Sequence, residues 1–72
     1  MDVDESVAIR VNGESRQLPA GLSVAGMLTA IGVDPAKVAV ERNREIVPRS
    51  LLGEVRAEDG DEYEIVHFVG GG

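Results

Sequence analysis

Val7-Ala8-Ile9-Arg10-Val11-Asn12-Gly13-Glu14-Ser15-Arg16-Gln17-Leu18 carries the pattern of a β-hairpin. Val7, Ile9 and Val11 alternate with Ala8 and Arg10, the period of a half-buried strand. Asn12-Gly13 is a favoured pair for a type I′ turn, because both residues tolerate a positive φ. Glu14 to Leu18 reads as the returning strand, and Pro19-Ala20-Gly21 ends it.

The next segment changes period. Ser23 is placed to cap a helix, and Val24, Met27, Leu28 and Ile31 follow at i, i+3, i+4 and i+7 as one apolar stripe. Gly32 and then Pro35 stop it. A helix this short does not persist alone in water, so it is predicted to lie across the sheet. Gly26 inside it costs about 1 kcal/mol relative to Ala, and is expected to permit close approach to the sheet. Beyond a turn at Asp34-Pro35-Ala36-Lys37, Val38–Arg42 and Glu45–Val47 read as strands about a tight turn at Asn43-Arg44. Ser50–Gly53 is predicted as a short helical turn tucking a leucine under the sheet. Asp59-Gly60-Asp61 is a turn signal, and Glu62 to Val69 reads as the last strand.

This order predicts an α+β fold: a mixed sheet of four to five strands wrapped around one helix, with the first and last strands as parallel central neighbours. Seventy-two residues leave room for a single domain spanning 1–72, with residues 1–5 as an acidic overhang and 70–72 as a flexible glycine tail.

Composition excludes several kinds of function. Thirteen acidic residues against seven basic ones give a net charge of −6, and there is one Tyr, one Phe and no Trp. Both the basic clusters and the stacking platforms that nucleic acid needs are therefore lacking. With no cysteine there is no disulfide framework, thiolate metal site, iron–sulfur cluster or Cys nucleophile. No apolar run approaches the roughly 20 residues that span a bilayer, and the Met1-Asp2-Val3-Asp4-Glu5 start is acidic where a signal peptide is basic. The expected location is the cytoplasm, without membrane or nucleic-acid partners.

No catalytic constellation emerges. Asp59-Gly60-Asp61-Glu62 lacks the spaced ligands of a calcium loop. Gly21 and Gly26 have the spacing of a phosphate loop, but Met27 and Leu28 stand where Lys and Ser/Thr are required. His67 has no second His or Cys to share a metal, and is predicted as a semi-buried sheet residue. No metal ligand and no bound cofactor are expected.

Two features do point to function. In the last strand Glu64 should face water, which puts Val66 and Phe68 outward and Tyr63, Ile65 and His67 toward the core. Val66 and Phe68 then form a candidate docking patch beside the end of the chain. Gly70-Gly71-Gly72 follows with no polar linker. Gly70 and Gly71 offer no side chain to obstruct a narrow channel. Gly72 would deliver an α-carboxylate that is ionised at neutral pH and needs activation before it can react. Adenylation supplies a leaving group, and a partner enzyme has to perform it.

Val11-Asn12-Gly13-Glu14, the run from Val38 through Val-Glu-Arg-Asn to Val47-Pro48-Arg49, Asp59-Gly60-Asp61 and Val66-His67-Phe68-Val69-Gly70-Gly71-Gly72 together resemble the ThiS family, over essentially Ser6 to Gly72. That family comprises the sulfur carriers of thiamin biosynthesis, with a ubiquitin-like β-grasp fold. The resemblance implies a non-enzyme that is a co-substrate of others. A ThiF-like enzyme would adenylate Gly72 with MgATP, and a cysteine desulfurase would supply persulfide sulfur. The resulting Gly72 thiocarboxylate would pass sulfur to a ThiG-like thiazole synthase. Alternatives are a MoaD-like small subunit of molybdopterin synthase, with the same fold and terminal chemistry, a ubiquitin-like protein modifier, and a plain interaction module. The Val40–Arg49 run favours ThiS over MoaD.

Overall fold

In the computed structural model, which describes residues 5–68, the chain forms β1 (Ser6–Val11), β2 (Glu14–Pro19), α1 (Val24–Ala30), β3 (Val38–Arg42), β4 (Glu45–Val47) and β5 (Glu62–His67). Short 3₁₀ turns at Pro35–Lys37 and Arg49–Leu51 flank the β3–β4 hairpin. The five strands lie in the order β2-β1-β5-β3-β4. β1 and β5 run parallel, and the other neighbours are antiparallel. The expected parallel pairing of first and last strands is therefore present, with β5 at the centre.

Sequence pattern accounts for each element. Asn12 and Gly13 both take positive φ, 50° and 85°, which closes the first hairpin in the twist its strands require. Asn43 and Arg44, at 51° and 73°, close the second in the same way. Ser23 caps α1 by accepting the Gly26 N–H at 2.9 Å, and Asp34 accepts the Ala36 N–H at 2.9 Å to start the first 3₁₀ turn. Val24, Met27 and Leu28 are fully buried against Ile9, Val38, Val40, Leu52, Tyr63 and Ile65. Leu52 is the leucine tucked under the sheet.

Several details differ from expectation. β2 runs one residue further, through Pro19, which an edge strand tolerates because its N–H is not needed. Ile31 caps the helix and is half-buried, so three of the four stripe residues form the core contact. A methyl at Gly26 would meet Ser23 Oγ at 3.3 Å and Leu22 at 3.6 Å, so the N-cap crowds this glycine, not the sheet. His67 is exposed where a semi-buried side chain was expected. It pairs with Val38, the first residue of β3, so it stands at the end of the ladder with no further strand residue beside it. Glu5, expected to belong to the overhang, accepts the Ala20 N–H through its carbonyl at 3.3 Å and so ties the hairpin's open end. Val69, the expected end of the last strand, lies outside the described residues, as do residues 1–4 of the overhang.

The central strand is held by side chains as much as by backbone. Register pairing between β1 and β5 covers only Arg10↔Glu62 and Val11↔Tyr63. The Asn12 side chain takes the next rung: its Oδ1 accepts the Ile65 N–H at 2.8 Å and its Nδ2 donates to the Ile65 carbonyl at 3.2 Å. On the other flank, Asn43 Oδ1 accepts the Glu62 N–H at 2.9 Å. Asn43 Nδ2 donates to Asp61 Oδ1 at 3.1 Å.

Asp61 is the buried charged residue among those described, only 6% exposed. Its carboxylate accepts from Arg42 Nε at 2.8 Å, the Tyr63 hydroxyl at 2.8 Å, the Glu58 N–H at 2.9 Å and Asn43. Burial pushes this carboxyl up, but the bonds from Arg42, Glu58, Tyr63 and Asn43 outweigh it and hold it below the ordinary 3.8. Burial and the adjacent carboxylate push the Tyr63 hydroxyl well above its ordinary range, so it stays a donor. Arg42 is raised chiefly by its bond to Asp61.

Two outcomes are expected. Asp61→Asn should lower unfolding free energy by about 2–3 kcal/mol at neutral pH, since charge-assisted bonds become neutral ones. Because the folded carboxyl titrates below 3.8, that contribution is complete above 3.8 and lost as pH falls through the lower folded value. Urea titrations at pH 7 and pH 2.5 should therefore show the gap between wild type and variant shrinking in acid; a gap independent of pH would contradict the arrangement. Asn12→Gly keeps the turn conformation but removes the clamp on Ile65, and should cost about 1–2 kcal/mol in the same measurement; an unchanged midpoint would show that the side chain contributes nothing.

Candidate docking face and carboxyl-terminal strand

Alternation along β5 separates its two faces. Tyr63 and Ile65 are buried, whereas Glu62, Glu64 and Val66 are exposed. Val66 is 64% and Phe68 56% exposed, the orientation their spacing predicted. Register sets Val66 opposite Ala39 and Glu64 opposite Glu41, with Glu41 also opposite Ile46 of β4. Ile46, 73% exposed, is an apolar residue that the sequence reading did not single out. Its signal lay in the hairpin register: Val47 pairs with Val40 of the core, so Ile46 has to point the other way. Ala39, Ile46 and Val66 thus line one shallow depression on the outer face, with Glu41 and Glu64 at its side.

Phe68, at the end of β5, is tied down on two sides. Its N–H donates to the Lys37 carbonyl at 3.0 Å. Its ring lies 5.2 Å from the Arg49 guanidinium carbon, a cation–π contact. Arg49 Nη1 in turn donates to the Ala36 carbonyl at 3.0 Å. Arg49 follows Pro48, which ends the β3–β4 hairpin and turns the chain into the 3₁₀ segment. Sequence reading passed over Arg49, because nothing in its spacing shows that it meets a residue nineteen positions later.

Gly70, Gly71 and Gly72 lie outside the described residues. Among the described residues no group of three or more His, Cys, Asp and Glu side chains could hold a metal ion. No helix among them is long and apolar enough to cross a membrane. Buried side-chain polar atoms among them all have partners, and the buried carboxylate and phenol are spent on each other and on Arg42. What the described surface offers is an apolar patch beside acidic side chains and a fixed strand end at Phe68.

Comparison with known proteins places the chain in a family. A model of the ThiS family matches residues 9–72. A thiazole synthase from Paramagnetospirillum magneticum is 53% identical over 62 residues, covering 86% of this chain and 19% of that protein. The chain thus spans about a fifth of the length of the thiazole synthases it matches. The sulfur carrier protein ThiS of Bacillus subtilis is 42% identical over 50 residues, covering 69% of this chain and 76% of that protein. The crystal structure of ThiS from Geobacter metallireducens superposes with a TM-score of 0.75 at 30% identity, covering 92% of this chain and 100% of that one. A mixed five-stranded sheet around one helix, shared with that structure, is the expected β-grasp, and with the family model matching most of the sequence, the chain belongs to the ThiS family.

Proposed function

We propose that this chain carries sulfur for thiazole formation in thiamin biosynthesis, on the carboxyl group of Gly72. The observation that carries the reading is the ThiS family match, which runs through the glycines to residue 72. Likeness to the Bacillus subtilis sulfur carrier supports it further. So does the order along the chain: β5, buried through Tyr63 and Ile65, ends at His67, Phe68 just past it is held by the Lys37 carbonyl, and Val69 alone separates it in sequence from the glycines.

In this reading the chain is a co-substrate and not an enzyme. A carboxylate resists nucleophiles because it is ionised and has no leaving group. A ThiF-like partner joins Gly72 to AMP at the expense of MgATP. The outer sulfur of a persulfide, generated by a cysteine desulfurase, attacks the acyl-adenylate and expels AMP; a partner's thiol then reduces the resulting acyl disulfide, leaving a thiocarboxylate on Gly72 and a disulfide on the partner. A ThiG-like thiazole synthase accepts that sulfur; the identity with thiazole synthases supports this partner. Gly70 and Gly71 keep the tail slim enough for a channel, and four residues beyond Phe68 reach about 13 Å at 3.3–3.6 Å per residue. Val66 and Phe68 contribute apolar docking area.

Incubation with the adenylating enzyme, MgATP and a sulfur donor should replace one oxygen by sulfur in the intact mass, at Gly72. A variant with one residue added after Gly72 should fold normally and stay unloaded; loading of that variant would contradict the proposed site. Lysine-linked products of higher mass would instead indicate a protein modifier. Phe68→Ala should cost only about 1 kcal/mol in stability, since the ring is half-exposed and its cation–π contact is worth about 0.5–1 kcal/mol. The same variant should weaken binding to the adenylating enzyme about tenfold, as a truncated apolar anchor does. Calorimetric titration and urea unfolding check the pair, and a large stability loss with unchanged binding would return Phe68 to a core role.

A further inference from the structure

Phe68 is where the described fold ends, and three separate pieces of chain converge on it. The Lys37 carbonyl, in the 3₁₀ turn before β3, receives its N–H at 3.0 Å. The Arg49 guanidinium, from the 3₁₀ turn after β4, covers its ring at 5.2 Å. Arg49 also donates to the Ala36 carbonyl at 3.0 Å, so the cation that holds the ring is itself anchored to the turn that holds the amide. The result is a closed bracket of Ala36, Lys37, Phe68 and Arg49 around the last backbone position before the tail.

Arg49 has little other work in the fold. Among the described residues the ion pairs are Arg16–Glu14, Arg42–Glu58 and Arg42–Asp61, and none includes Arg49. Its side chain is exposed overall, at the surface end of the sheet and away from the Asp61 cluster. A long, entropically costly side chain held at two points on the surface is not explained by the core.

We propose that Arg49 is a positioning residue for the carboxyl-terminal tail: by fixing Phe68 against the Ala36–Lys37 turn, it sets the direction in which residues 69–72 leave the domain. The inference rests on the proposed role of Gly72 and adds a residue to it. Four residues of tail are short enough for their root to matter. Rotating Phe68 out of the bracket redirects every position after it, and a partner's channel then has to select the productive direction from a wider set. Ordering one residue's backbone corresponds to roughly a tenfold factor in an equilibrium, and a partial release to about fivefold. Arg is suited to the task because its planar cation can lie over a ring and still direct N–H groups at a carbonyl in its own plane.

The test compares full-length wild type, Arg49→Gln and Arg49→Lys. Gln lacks the cation, and Lys keeps it. Three quantities are read: melting temperature, the backbone ¹⁵N order parameter of Phe68, and kcat/KM for sulfur loading by the adenylating enzyme. Arg49→Gln should melt within a few degrees of wild type, lower the Phe68 order parameter without changing those of Tyr63 and Ile65, and reduce kcat/KM about fivefold. Arg49→Lys keeps the charge without the planar fork and should recover part of both losses, which a merely structural role would not produce. If Arg49→Gln is loaded as fast as wild type, or the Phe68 amide stays as ordered, the positioning role is overturned while the sulfur-carrier reading stands. If wild type itself is never loaded at Gly72, the carrier reading falls and the positioning role with it.

Discussion

A buried carboxylate fixes the centre of this domain. Asp61 sits one residue before β5 and accepts bonds from Arg42 on β3, from Asn43 in the β3–β4 turn, from Tyr63 on β5 itself and from the Glu58 backbone. An ionised group taken out of water costs several kcal/mol unless its lone pairs are met, and here each partner that meets them belongs to a segment that has to be correctly placed. The charge therefore works as a register pin. It makes the β5–β3 alignment that pairs Val40 with Ile65 far more favourable than a slip, which would strand the carboxylate and turn Tyr63 and Ile65 to solvent. Asn12 performs the matching task on the other flank, where backbone pairing with β1 is brief. Two asparagines that shape hairpin turns thus also clamp the strand between those hairpins.

That arrangement explains how a domain with no disulfide and little aromatic content holds one strand end steady. β5 is anchored at its start by Asp61 and Asn43, in its middle by Asn12, and just past its end by the Lys37 carbonyl and Arg49. Its inward residues join the core with Val24, Met27 and Leu28, and its outward residues leave an apolar strip beside Glu41 and Glu64. Rigidity up to Phe68 and side-chain-free sequence from Gly70 are complementary properties. Under the proposed function, one would give a partner a body to grip, and the other a stretch of backbone to thread.

Much of this was legible in the sequence because it is local. Alternation in Val7–Val11, the Asn12-Gly13 pair, the Ser23 cap and the i, i+3, i+4 stripe of α1 each depend on neighbours within a few residues, and each element lies where its pattern puts it. Outward placement of Val66 and Phe68 followed from the period of two alone. What was not legible depends on distant partners. Asp61 reads as an ordinary turn acid until β3 brings Arg42 and Asn43 to it, and the outward face of Ile46 is not visible until Val47 is paired with Val40. Arg49 meets Phe68 only through the folded sheet edge. His67 shows the reverse failure: parity pointed it inward, but the ladder ends there and exposes it.

The proposed function assigns the domain no chemistry of its own, only the presentation of a carboxyl group for others to activate. The most direct measurement is the mass of the native protein, purified from cells grown without thiamin and cleaved to its carboxyl-terminal fragment. The account predicts a fragment ending at Gly72, part of it with sulfur in place of one carboxyl oxygen. A fragment that continues past Gly72, or one that ends there and never carries sulfur under that demand, would contradict it.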